Sequence, residues 1–158
     1  MSLSWSLAVF CVLVLAAAMT GGYYRPGTWY RELDKPAWTP PDLLFPIAWF
    51  ILYAMMAVAA WLVYEIAGLT GGAVALSLWA IQLIFNALWS YFFFGLRRMN
   101  LALYDVAALW IMILATIIAF WMITPLAGAL MLPYLAWVSF AAFLNWTLLQ
   151  RNPEAGAA

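Results

Sequence analysis

The chain is 158 residues long and 70% hydrophobic, with 11 Trp, six basic and six acidic residues. A net charge of zero gives no electrostatic reason to bind nucleic acid. The absence of histidine and the single cysteine, Cys11, exclude an intrachain disulfide, a cysteine metal cluster, histidine-ligated haem and Ser-His-Asp or Cys-His catalysis.

Soluble domains carry charge on about a quarter of their residues; at 8% this chain is built to dissolve in lipid. A crossing helix needs about 20 apolar residues, and the charge-free runs supply five. Residues 1–24 lack the positive start of a signal peptide, despite the small run Ala16-Ala17-Ala18, and are too long for one; they predict a span over 3–21.

Residues 22–42 form the first loop, long for a hairpin between spans and rich in rings: Tyr23, Tyr24, Trp29, Tyr30 and Trp38. Two readings are open. The rings form an aromatic belt at headgroup depth, or the loop is a lid over the open end of the bundle. Pro36, Pro40 and Pro41 lower the entropy cost of a fixed shape and favour the lid. Thr28 is placed to cap a short helix running through Glu32.

The second span is expected over 44–64. Gly68, Gly71 and Gly72 occupy the start of the next run, which leaves a third span over 73–94. The last run, 106–150, is long enough for two helices. It breaks at Thr124-Pro125-Leu126-Ala127-Gly128, giving spans over 101–123 and 129–149. Backbone exposed to lipid must pair internally, which forces helices, and no ten-residue alternating segments suggest a barrel. The fold class is therefore an all-α membrane protein: a five-transmembrane-helix bundle with a long structured first loop, one domain over 1–158.

Five spans put the first loop, the third loop and the C-terminus on one side. That side holds Arg25, Arg31, Lys35, Arg97, Arg98 and Arg151, all six basic residues, against Glu65 alone on the other. The positive-inside rule places the N-terminus outside and the C-terminus in the cytoplasm; it does not choose between an inner and an outer membrane.

Within the spans, Gln82, Asn86 and Ser90 repeat at four-residue steps and make a polar stripe flanked by Trp79, Phe85, Trp89, Phe92 and Phe93. Trp49 and Tyr53 share a face of the second span; Tyr134, Trp137, Ala141 and Asn145 share one of the fifth, with Ala141 leaving a notch. Such faces either glue helices together or line a mostly apolar cavity with a few convergent polar groups, as a small-molecule site does. Asp105, expected in the first turn of the fourth helix, is read as an interfacial ion pair with Arg97 or Arg98. Paired carboxylates for acid/base work are absent. Ala54, Ala57 and Ala60 offer a small-residue face for a dimer contact.

Three segments together resemble the TspO/MBR family of tryptophan-rich sensory proteins and mitochondrial translocator proteins, in a bacterial member. They are Thr28-Trp29-Tyr30 through Lys35-Pro36-Ala37-Trp38-Thr39-Pro40-Pro41; Phe85-Asn86-Ala87-Leu88-Trp89-Ser90; and Pro133-Tyr134-Leu135-Ala136-Trp137 through Leu144-Asn145-Trp146. The resemblance implies a five-helix bundle, forming a homodimer, that binds protoporphyrin IX and flat synthetic ligands of the isoquinoline carboxamide type in a sensory, regulatory or transport role. By motif position it implies ligand contacts at Trp29, Tyr30, Pro40, Trp49, Tyr53, Asn86, Phe92, Trp137 and Ala141, to which the same motifs add Trp38 and Trp89. The family's sterol pattern fits poorly, because Trp146 stands where Tyr is expected; cholesterol is read as weak or non-native. No obligatory cofactor and no metal site are expected. With no histidine and no thiolate cluster to grip iron, a metal-free porphyrin held by ring stacking is expected. The alternative is a light-dependent porphyrin-degrading enzyme in which Trp29 and Trp137 serve as redox-active rings.

Overall fold

The computed structural model describes residues 3–156. Its helices are α1 (Leu3–Tyr23), α2 (Thr28–Arg31), α3 (Leu44–Gly71), α4 (Ala73–Ser90) continuing into a π turn (Tyr91–Gly95), α5 (Met99–Ile123), α6 (Pro125–Arg151) and α7 (Pro153–Gly156). Among the described residues, five helices are long and apolar enough to cross a membrane: α1, α3, α4 with its π turn, α5 and α6. The protein is an integral membrane protein. Around the bundle the neighbours run α1, α3, α6, α5, α4 and back to α1, and α3 also touches α4 across the middle.

The helix ends differ from the expected ones for local reasons. α3 continues past Glu65 and kinks at Gly68, whose φ of 65° lies in the left-handed region that glycine tolerates. The glycines thus close the second span rather than open the third. α6 starts at Pro125, not residue 129. The break is one extended residue, Thr124 (φ −152°, ψ 121°), and Pro125 sits at the first helical position, where a missing N–H costs little. α5 begins at Met99, two residues early.

All six basic residues lie at one end of the bundle. The first loop there touches both the π turn and the end of α6: Tyr24 lies 5.4 Å from Tyr91, and Asp34 pairs with Arg151 at 3.1 Å. At the opposite end, Glu65 accepts a hydrogen bond from Ser6 Oγ at 2.7 Å, and Trp61 Nε1 donates to the same Oγ at 3.1 Å. This ties α1 to α3 at the end of the bundle that carries Glu65.

Two sequence expectations are corrected. Asp105 lies in the second turn of α5, is buried, and among the described residues makes no salt bridge with Arg97 or Arg98. Ala57 and Ala60 are enclosed within their own bundle, at 1% and 0% exposure; their small side chains bring neighbouring helices together inside one chain, and only Ala54 faces outward.

The crossing of α5 and α6 is close at Gly128. A Cβ there would sit 2.6 Å from Trp121 Cε3 and 3.2 Å from the Ile117 carbonyl oxygen. Gly128→Ala is expected to lower stability by about 1–3 kcal/mol, read from denaturant unfolding in detergent. Gly22→Ala, with nothing within 4 Å of the new Cβ, is expected to leave the transition unchanged.

Candidate functional site

The polar stripe on α4 faces the interior: Gln82 and Asn86 are buried and Ser90 is half-buried. An amide surrounded by hydrocarbon must find partners on another helix, and Asn86 finds two. Tyr53 Oη on α3 donates to Asn86 Oδ1 at 2.5 Å, and Asn86 Nδ2 donates to Tyr134 Oη on α6 at 2.9 Å. Tyr134 Oη then donates to Gln82 Oε1 at 2.8 Å. One carboxamide thus ties three membrane-crossing helices together, and Gln82 Nε2 reaches Met56 Sδ at 3.7 Å.

Indole rings pack beside this network. Trp49 lies 5.5 Å from Tyr53, 6.1 Å from Tyr134 and 6.5 Å from Trp137. Trp137 continues to Phe45 at 5.7 Å and to Phe140 at 5.6 Å. The structure therefore brings Trp49, Tyr53, Asn86 and Trp137 together. Two polar atoms of this region are buried without a partner among the described residues, Trp137 Nε1 and Asp105 Oδ2.

A second cluster lies at the loop end and depends on the π turn. There the Leu96 N–H reaches back to the Tyr91 carbonyl, at 2.8 Å. This wide turn presents Phe92, Phe93 and Phe94 in quick succession. Trp89 stacks on Phe93 at 4.9 Å, Trp29 meets Phe93 edge-on at 5.8 Å, and Tyr30 touches Phe94 at 5.6 Å. Trp89 Nε1 donates to Asn145 Oδ1 at 3.1 Å, and Asn145 Nδ2 donates to the Met99 carbonyl at 2.9 Å. Trp29, Tyr30, Trp89 and half-buried Phe92 belong to this cluster, and Trp89 packs against both.

The remaining candidates sit elsewhere. Trp38 is exposed and stacks on Phe143 at 5.3 Å, with Phe140 at 5.9 Å; it covers α6 rather than the Asn86 network. Pro40 is half-buried in the loop, and Ala141 is half-buried one turn beyond Trp137. The rings interlock instead of surrounding a closed chamber. A shallow groove of about 450 Å³ opens between α3 and α6, walled by Ile51 and Met55 on one side and Pro133, Trp137 and Phe140 on the other.

The first loop closes down on the second cluster. Its short helix is capped by Gly27 without a side-chain bond, so Thr28 is its first residue rather than its cap, and Glu32 follows its end. Tyr30 and Leu33 are buried. Burial, followed by the charge of Asp42, raises the Tyr30 phenol above the ordinary 10.0. It therefore stays neutral beneath Lys35, whose Nζ lies 4.7 Å from the ring centre. Tyr134 and Gln82, though visible in the sequence as part of inward faces, were not expected as the partners that complete the Asn86 network. Phe140, three residues beyond Trp137 on α6, was missed although helical spacing places it on a neighbouring face; Phe93, expected beside the polar stripe, owes its place to the π turn, which helical spacing does not encode.

A model of the TspO/MBR family matches residues 8–151. The chain is 41% identical over 161 residues to "Tryptophan-rich sensory protein" of Cereibacter sphaeroides, covering 99% of this chain and 100% of that one. It is 40% identical over 147 residues to "Protein CrtK" of Rhodobacter capsulatus, covering 92% of each. It is 37% identical over 154 residues to "Translocator protein" of Bos taurus, covering 94% and 91%.

Asn86→Leu removes the partner of two phenols at once. The Tyr53 hydroxyl is then left without its acceptor, at a cost of about 1–3 kcal/mol, while Tyr134 loses one bond and keeps the one to Gln82. This variant is therefore expected to unfold at clearly lower denaturant than Tyr53→Phe, which deletes one bond and leaves only the amide oxygen short. Equal midpoints for the two variants would show that Asn86 does not join the helices as described.

Proposed function

The chain belongs to the TspO/MBR family, and from that premise we propose that its membrane sensory or transport role is exercised on tetrapyrroles, with protoporphyrin IX as the ligand. Family membership supports the coarser role. The finer reading rests on one observation: rings from α3 and α6 converge beside the network built on Asn86 of α4, and among them Trp137 keeps a buried indole N–H without an acceptor among the described residues. An unpaired donor in a low-dielectric interior is costly, and a guest with nitrogen or oxygen acceptors relieves it.

A planar macrocycle suits this lining. Each aromatic pair contributes about 0.5–1.5 kcal/mol beyond area burial, and ring stacking needs no metal. The propionates of a porphyrin would meet Arg25, Arg31 or Lys35 at the loop end. Because the rings interlock, entry requires the loop to lift or α3 and α6 to part along their groove. Flat synthetic ligands of the isoquinoline carboxamide type would share the site. Cholesterol is not proposed as the native guest.

The six-to-zero split of basic residues supports a topology with the C-terminus in the cytoplasm and the N-terminus outside. A homodimer is part of the proposal; its contact falls on lipid-facing surfaces, since Ala57 and Ala60 are enclosed.

Titration of the purified protein with protoporphyrin IX is expected to quench tryptophan fluorescence saturably. Trp137→Phe should weaken binding by roughly tenfold, equivalent to about 1.4 kcal/mol, and haem should bind no more tightly than the free base. Absence of saturable quenching would return the protein to a bundle whose rings only pack.

A further inference from the structure

We propose that the end of α6 is the latch of the first loop: Arg151 and Asn152 hold residues 34–35 against the bundle, and their release admits ligand from the aqueous side. The ligand half of this inference rests on the porphyrin reading above; the latch itself does not.

Asn152 pairs with the backbone of Asp34 through both ends of its side-chain amide. The Asp34 N–H donates to Asn152 Oδ1 at 2.8 Å, and Asn152 Nδ2 donates to the Asp34 carbonyl at 3.0 Å. The amide thus acts as a neighbouring strand would, 118 positions away in sequence. Arg151 Nη1 adds an ion pair to Asp34 Oδ1 at 3.1 Å and a longer bond to the Lys35 carbonyl at 3.4 Å.

Beneath these bonds Tyr30 and Leu33 are buried in one cluster with Phe93, Met99, Leu144 and Leu148. The support under the latch is firm. After Asn152 the chain turns back in α7, and Gly156 packs so closely that a Cβ there would fall 2.7 Å from both Met99 and Leu149.

Two features make this a latch rather than a permanent staple. The Arg151 and Asp34 side chains are 43% and 66% exposed, so water competes for their bonds. All the bonds also converge on two consecutive loop residues, so they form and break together. The second ring cluster lies behind the loop, so exchange from water at this end of the bundle is limited by how often this contact opens.

Trypsin reads the opening. Arg25 and Lys35 each precede proline, bonds that trypsin leaves intact, so Arg31–Glu32 is the loop's cleavable bond. In the full chain in detergent, Asn152→Ala is expected to speed cleavage at Arg31 roughly tenfold. Asp34→Asn, which keeps the backbone pairing and loses the charge pair, should speed it by a smaller factor, within about fivefold. Association and dissociation of protoporphyrin IX should both accelerate in Asn152→Ala while Kd moves little. If Asn152→Ala does not fold, Asn152→Asp, which keeps an acceptor and loses the donor, carries the same comparison. Unchanged Arg31 cleavage overturns the latch. Faster cleavage with unchanged porphyrin rates overturns the gating. A wild-type protein that binds no porphyrin sinks the ligand reading, and the latch then stands or falls on Arg31 cleavage.

Discussion

A carboxamide in hydrocarbon has to be satisfied, and in this protein that requirement organises the interior. Asn86 can meet it only if Tyr53 and Tyr134 stand where they do, which sets the rotation of α3 and α6 about their axes relative to α4. Once those rotations are set, Trp49 and Trp137 have no choice but to meet beside the amide. Apolar packing between helices carries little directional information in lipid, where side chains and solvent are alike. The hydrogen-bonded triad supplies the specificity that hydrophobic burial supplies in water.

The fold was readable because lipid leaves few alternatives. Long charge-free runs must be helices, and the one-sided placement of six basic residues agrees with an odd number of crossings. The helix ends were less legible. Gly68 can equally end one helix or precede the next, and the left-handed turn it makes is decided by how α3 meets α4. Pro125 interrupts a hydrophobic run, yet a proline also begins helices well, so the break shrank to Thr124 alone.

At the site, helical spacing was enough to place Gln82, Asn86, Trp137 and Asn145 on inward faces. It said nothing of which helix each would meet. The ion pair expected for Asp105 failed for a geometric reason: helix α5 starts directly after Arg98 and carries the carboxyl about two turns away from it. The contact between Asp34 and Asn152 joins the two ends of the chain, and no local pattern announces a partner at that separation. Trp38 shows the converse. Its ring is conspicuous in a proline-rich loop, yet it lies flat on Phe143 at the outer surface of α6.

The π turn at Tyr91–Gly95 makes the length of this stretch matter as much as its composition. A wide turn holds one more residue than the same rise of ordinary helix. Deleting a single amino acid between Ser90 and Gly95 would let the segment wind as ordinary helix with the register beyond it nearly kept, and the rings inside the turn would lose the spacing that the extra residue gives them. Phe93, inside the turn, would no longer meet both Trp89 and Trp29 as it does now. The segment tolerates exchange of one aromatic for another far better than any change in the number of residues.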